Sequence, residues 1–309
     1  MNRRTLILGA SAAGTLGNSP AAIKTAVAQT RPAPPVTTAS SRCFVTAKDG
    51  TRLFVQDWGS GRPIVLLAAW TFNSNVWGSH IASFNESGFR CVAPDRRGHG
   101  RSDAPSNGYD ADSLADDVAA VLDQLDLRDA ILVAHSMGSI EAVNYLARHG
   151  SDRISKLVLL APVTPYLTKT DDNADGVPKA AIEAQYRAIA SNFPVWIADN
   201  EAPFFTPQTV AATRNWIKTM MLDVSLPVAL ACRATIASTD LRSAVGKIDR
   251  RTLIVHGDKD ASAPLPITGA KTARLIPGSK LVVIAGAPHC LVLTHEDQVM
   301  RETVDFIRA

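Results

Sequence analysis

Between residues 130 and 150 a strand-like run, Ala130-Ile131-Leu132-Val133-Ala134, passes directly into His135-Ser136-Met137-Gly138-Ser139, and a helical pattern starts at once behind it. Ile140, Val143 and Leu146 fall on one side of that helix, and Gly150 supplies a stop signal. A strand that becomes a helix within a residue or two must turn sharply, and the side chain at the corner then projects above the end of the sheet. The corner is crowded, so the residues two before and two after Ser136 must be small. They are Ala134 and Gly138, and Ala134 departs from the usual G-x-S-x-G form by a methyl group.

The rest of the chain repeats this alternation. Short apolar runs recur at 64–69, 89–93, 157–161, 253–255 and 281–284, each bounded by polar or turn residues. Such runs suit parallel strands covered on both faces. Helical patterns lie between them. Ser113 can cap one, with Asp116 three residues on and an apolar stripe at Leu114, Val118, Val121, Leu122 and Leu125. Another runs from about His295 to Phe306. Residues 43–47 and 51–58 read as a hairpin around Lys48-Asp49-Gly50. The pattern predicts an α/β fold with a mostly parallel, doubly wound sheet. One stretch, about 166–245, carries helical patterns, aromatics and prolines but no convincing strand. It reads as a helical cap inserted into the sheet domain, the alternative being a small domain with its own core.

The first residues stand apart. Arg3 and Arg4 precede Leu6-Ile7-Leu8, a weakly apolar stretch comes next, and Ala26-Val27-Ala28 has the small-residue pattern of a cleavage site. Residues 1–28 are therefore expected to be a signal peptide of twin-arginine type, an ordinary secretory signal or an uncleaved amphipathic N-terminus being the alternatives. This predicts a periplasmic or secreted protein, and the stretch is too short and too broken by glycine for a stable membrane anchor. Residues 29–41, rich in Pro, Thr and Ser, read as a linker, leaving 42–309 as the folded domain. Residues 1–28 hold Arg3, Arg4 and Lys24 but no acid, so the formal charge of +3 becomes zero without them. A neutral chain without basic clusters has no electrostatic footprint for nucleic acid. The four cysteines, Cys43, Cys91, Cys232 and Cys290, match no zinc or redox spacing, and an oxidising compartment permits disulfides without specifying a pairing.

Ser136 gains meaning from residues much further along the chain. A serine hydroxyl becomes a useful nucleophile only when a base takes its proton as it attacks. For a serine at such a corner the expected chain order is serine, acid, histidine. The strand-like run ending in Val255-His256-Gly257 leads to Asp258-Lys259-Asp260, and the run 281–284 leads to Ala285-Gly286-Ala287-Pro288-His289. Open α/β sheets place their sites at these strand ends. The candidate catalytic residues are Ser136, His289 and either Asp260 or Asp258, with the N–H of Met137 as a donor to a developing oxyanion. The bland reading of Ser136 is a helix N-cap. His135 reads as a packing or hydrogen-bonding residue, and no histidine has metal-ligand spacing, so no metal is expected. Trp196, Phe204, Phe205 and Trp216 either line an apolar pocket or form the core of the cap.

The segments Asp95-Arg96-Arg97-Gly98-His99-Gly100-Arg101-Ser102, Ala134–Gly138, His256–Asp260 and Gly286–His289 resemble the cofactor-free haloperoxidase, arylesterase and perhydrolase group of α/β-hydrolases, as do Leu167–Asn173 and Glu201–Phe205. The likeness spans about 43–307. It implies the α/β-hydrolase fold, a Ser136–His289–Asp260 triad, and hydrolysis of small ester or lactone substrates through an acyl-enzyme, with no cofactor. An aspartate nucleophile, as in related dehalogenases and epoxide hydrolases, is absent. Asp95–Ser102 is expected to brace the end of the sheet. The resemblance also makes Trp70 N–H the second oxyanion donor. Relatives carry His-Gly where this chain has Ala68-Ala69, and a changed loop backbone is expected because alanine tolerates positive φ poorly. Perhydrolase-proficient relatives have proline where this chain has Thr71, so plain ester hydrolysis is favoured over perhydrolysis. The loop substitution also motivates a contrasting expectation, a binding protein that kept the fold with weak catalysis.

Overall fold

The computed structural model describes residues 43–309, so the signal-like segment 1–28 and the linker 29–41 lie outside the described residues. Two strands open the fold, β1 (Cys43–Thr46) and β2 (Arg52–Trp58), and they pair antiparallel as the expected hairpin. Gly50 adopts a φ of 89° in the connecting turn, a left-handed angle that glycine reaches without steric cost. Next come β3 (Arg62–Leu67), α1 (Gly78–Glu86), β4 (Phe89–Pro94), α2 (Ala111–Gln124), β5 (Ala130–His135), α3 (Gly138–His149) and β6 (Ile154–Leu160). Five helices intervene before the sheet resumes: α4 (Lys179–Ser191), α5 (Phe193–Asp199), α6 (Ala211–Leu222), α7 (Leu226–Ser238) and α8 (Arg242–Val245). The chain ends with β7 (Arg251–Gly257), α9 (Gly269–Leu275), β8 (Lys280–Ile284), α10 (Leu291–Thr294) and α11 (Glu296–Arg308).

The eight strands form one sheet in the order β1-β2-β4-β3-β5-β6-β7-β8. Only the β1–β2 and β2–β4 pairings are antiparallel; every pairing from β4 to β8 is parallel. The continuous apolar runs are thereby explained. All six residues of β5 are buried, since helices cover both faces of a central parallel strand. At the edge, β8 leaves Val283 exposed. Below the sheet's working end, the buried Nζ of Lys156 on β6 donates to the carbonyls of Phe306 (3.1 Å) and Ile307 (2.9 Å). These belong to the last turn of α11, where helix carbonyls lack partners of their own.

One helix start differs from the sequence expectation. Helix α2 begins at Ala111 with Asp110 as its cap, not Ser113. The Asp110 carboxylate accepts from Ser113 N (2.9 Å) and from Ser113 Oγ (2.8 Å), so Ser113 sits inside the first turn as a double donor. Both residues are good N-caps, and the carboxylate wins because it satisfies a backbone donor and the serine hydroxyl together. Strand β3 stops at Leu67, which leaves Ala68, Ala69 and Trp70 in the loop above the sheet. The described residues, 43–309, belong to one compact unit, and the helical stretch between β6 and β7 is part of it.

Candidate active site

Ser136 occupies the corner between β5 and α3 with a φ of 54°. A non-glycine residue in this left-handed region is strained, and it persists because the fully buried strand and the helix behind it over-determine the turn. The need for a small residue at 138 has a direct cause: a Cβ there would lie 2.6 Å from the carbonyl oxygen of Leu67 on β3. Ala134 is completely buried.

Ser136 Oγ–H donates to His289 Nε2 at 2.8 Å, and His289 Nδ1–H donates to Asp260 Oδ2 at 2.7 Å. The remaining carboxylate oxygen, Asp260 Oδ1, accepts from Ser262 N (2.9 Å) and Ala263 N (2.7 Å). Burial by itself would raise the Asp260 carboxyl, but attraction to His289 and hydrogen bonds from His256 and His289 outweigh it and hold the group well below the usual carboxylate range. Asp258 goes elsewhere, accepting from Gly286 N at 2.6 Å. It thus shapes the loop that carries His289, while Asp260 is the carboxylate in contact with it.

Two histidines support the arrangement. His135 Nε2–H donates to the carbonyl of His289 (3.0 Å), fixing the backbone of that loop, in keeping with a bonding role. The second, His256, escapes a reading of the sequence. Its Nε2 lies 2.8 Å from the Ala263 carbonyl and 3.2 Å from Asp260 Oδ2. Both partners are acceptors, so the proton sits on Nε2 and the ring is a further donor to the acid. The i, i+4 spacing of His256 and Asp260 across a strand end is its only sequence signal.

The loop after β3 holds Trp70 in three ways. Its indole Nε1–H donates to the Ala229 carbonyl of α7 (2.9 Å), and its ring meets Trp196 edge-on at 5.6 Å and Phe193 at 6.0 Å. From below, Arg96 Nη1 donates to the Ala69 carbonyl (3.1 Å) and Nη2 to the Ala68 carbonyl (2.6 Å). The Ala69 carbonyl and the Trp70 N–H share one planar trans peptide, so holding the oxygen also sets where the N–H points. Arg96 is itself paired with Glu141 on α3, both being buried. The segment 95–102 therefore does more than brace the sheet, although Asp95 does brace it, accepting from Ser74 N, Ser74 Oγ and Arg101 N. Neither Trp70 N–H nor Met137 N–H has a hydrogen-bond acceptor among the described residues.

The expected cost of Ala69 falls elsewhere. Position 69 does not take a positive φ; Thr71 does, at 60°, with its Oγ1–H turned back to the Trp70 carbonyl. A β-branched residue is a poor occupant of that region. Proline, with φ fixed near −65°, has no access to it.

A cavity of about 210 Å³ opens above Ser136 and His289. Of the four cap aromatics, Trp196 and Phe204 line it, Phe204 meeting the His289 ring edge-on at 5.7 Å. Phe205 is buried within the cap, whereas Trp216 is exposed and belongs to neither pocket nor core. The cap is also tied to the histidine loop by main-chain bonds from His289 N to Pro203 O and from Cys290 N to Phe204 O, each 3.3 Å. Cys290 is fully buried, and burial pushes its thiol up to about 12, so it stays protonated and serves as packing. All four cysteines are free thiols. Among the described residues, no group of three or more His, Cys, Asp and Glu side chains is placed to hold a metal ion.

Comparison with known proteins agrees with this architecture. Residues 62–296 match the family model described as the alpha/beta hydrolase fold. The chain is 34% identical over 269 residues to a non-heme chloroperoxidase from Kitasatospora aureofaciens, covering 85% of this chain and 98% of the relative. It is equally 34% identical over 275 residues to a bifunctional esterase/perhydrolase from Acinetobacter calcoaceticus, covering 86% and 99%. Among solved structures, an esterase from Exiguobacterium antarcticum superposes with a TM-score of 0.83 at 31% identity, over 86% of this chain and 99% of that one. The chain belongs to the α/β-hydrolase family, in its cofactor-free haloperoxidase-like group.

Proposed function

We propose that this protein hydrolyses carboxylic esters, with aryl esters or lactones of modest size as substrates, through an acyl-enzyme on Ser136. In this reading Ser136 Oγ attacks the carbonyl carbon while His289 Nε2 takes the hydroxyl proton and then delivers it to the leaving oxygen. Asp260 keeps the imidazole in the required tautomer and stabilises its charged form. Water then attacks the acyl group by the same route in reverse. The oxyanion is received by the N–H groups of Met137 and Trp70. Met137 stands at the N-terminus of α3, where backbone donors are unpaired and the helix dipole favours negative charge.

The observation that carries this reading is the unbroken line of hydrogen bonds from Ser136 Oγ through His289 to Asp260. A helix-capping serine has no use for a buried, oriented imidazole. Hydrolysis is favoured over perhydrolysis because the left-handed Thr71 gives the oxyanion loop a backbone that proline-bearing relatives cannot share. The test is a fluorophosphonate probe, expected to label Ser136, together with p-nitrophenyl acetate hydrolysis, expected to fall at least ~10³-fold in Ser136→Ala. Equal rates in both proteins would refute the nucleophile. Export by residues 1–28 to the periplasm is part of the proposal, and retention of an Arg3→Lys, Arg4→Lys double variant in the cytoplasm tests it.

A further inference from the structure

The cavity over Ser136 is walled mainly by apolar side chains, among them Trp70, Leu167, Phe204 and Ile236, yet Arg233 of α7 also lines it. Its guanidinium is held by one neighbour. Arg233 Nε donates to Gln185 Oε1 at 2.8 Å, and Nη2 donates to the same oxygen. The third nitrogen, Nη1, is shielded from solvent and has no hydrogen-bond partner among the described residues. Among those residues, no aspartate or glutamate lines the cavity. A single amide oxygen orients the guanidinium without neutralising it. Burial pulls the group down to about 10, which leaves it charged near neutral pH.

A half-buried cation that lines an apolar cavity without a counter-charge is unfavourable for a fold to keep. Arginine's planar fork is suited to a carboxylate, which it can meet with two parallel N–H donors. We propose that Arg233 is the specificity residue of the cavity and that the substrates are esters or lactones bearing a free carboxylate. The scissile carbonyl would lie at Ser136 and the carboxylate against the Arg233 guanidinium where it lines the cavity. This proposal rests on the ester-hydrolase reading of the site and narrows its substrate class.

Ethyl hydrogen adipate and diethyl adipate form a matched pair that differs in one charge. Wild type is expected to prefer the half-ester in kcat/KM by about ten-fold or more, the scale of one charge-assisted pair. Arg233→Met should abolish that preference, and Arg233→Lys should keep part of it. Binding is read separately in Ser136→Ala through quenching of tryptophan fluorescence, because Trp70 and Trp196 line the same cavity. Adipate should quench at lower concentration than the diester, and this comparison stands even if Arg233→Met fails to fold. Turnover of both esters without preference for the half-ester overturns the carboxylate assignment and leaves hydrolysis intact. Adipate binding without turnover of either ester overturns the hydrolase reading and supports the anion site.

Discussion

Two arginines, a buried one in the sheet-side floor beneath the Trp70 loop and a half-buried one in the helical roof of the cavity, stand in opposite relations to their surroundings. Arg96, in the sheet's loops, is matched by Glu141 and by the carbonyls of Ala68 and Ala69. Arg233, in the helices above, has one amide oxygen and an orphaned nitrogen. The first is satisfied by the fold and holds a reactive loop in place. The second is left incomplete, on a residue that lines the cavity. In the reading proposed above, a scaffold charge and a recognition charge differ in whether the partner is built in.

Four experiments press on this contrast. The largest effect belongs to the floor's acid: Asp260→Asn should lower turnover by roughly 10³- to 10⁴-fold, since the wrong imidazole tautomer is then favoured. Asp258→Asn, at a carboxylate whose one hydrogen bond among the described residues is to the Gly286 amide, should stay within about ten-fold of wild type by initial rates, an exposed loop bond being worth about a kcal/mol. Equal losses in the two would dissolve the distinction between them.

Next comes stability. Arg96→Met strands the Glu141 carboxylate and two carbonyls, and should cost about 3–5 kcal/mol in denaturant unfolding. Arg233→Met removes a charge that the empty protein does not pair, and its unfolding midpoint should equal or exceed that of wild type. If both variants lose the same stability, the roof arginine is as structural as the floor one.

The third experiment uses acid. Burial pulls His80 down to about 4, His99 to about 3 and His135 to about 3. In the unfolded chain a histidine binds its proton near pH ~6.5, so below that value the unfolded state holds more protons than the native one. Stability is fully present above pH ~6.5. It then falls by up to about 1.4 kcal/mol per pH unit for each histidine, until the native values are reached. Asp260, depressed by its histidine partners despite burial, adds its own loss only below about pH 4. Urea midpoints that stay level between about pH 7 and pH 5 would contradict buried neutral rings.

The smallest effect is expected at Thr71. Replacement by glycine relieves a left-handed β-branched residue and should gain up to ~1 kcal/mol, whereas proline at the same place should destabilise. A stable Thr71→Pro protein would mean that the loop can adopt another backbone.

Much of the floor is legible from residue order. Parallel strands need long apolar runs, and the crowded turn at Ser136 needs Ala134 and Gly138, so strands and corner both leave one-dimensional traces. The acid and histidine come after strand ends, which sequence marks by Gly257 and Gly286. The roof leaves fewer. Arg233 sits in a helix whose apolar residues show little sidedness, and nothing in its neighbours along the chain reveals that its partner is a glutamine 48 positions away. His256 reads as a strand residue until β7 and the next loop are folded against each other. Composition identifies a difficult loop around Ala69 but not which residue in it takes the unfavourable angle, and that residue is Thr71.

The two main-chain bonds that join Pro203 and Phe204 to His289 and Cys290 carry a kinetic implication. Any swing that lifts this part of the roof, with those bonds kept, carries the His289 imidazole away from Ser136, its proposed proton donor. Admission of a new molecule by that path and proton transfer must then occur at different moments, and the enzyme would be idle whenever that door stands open.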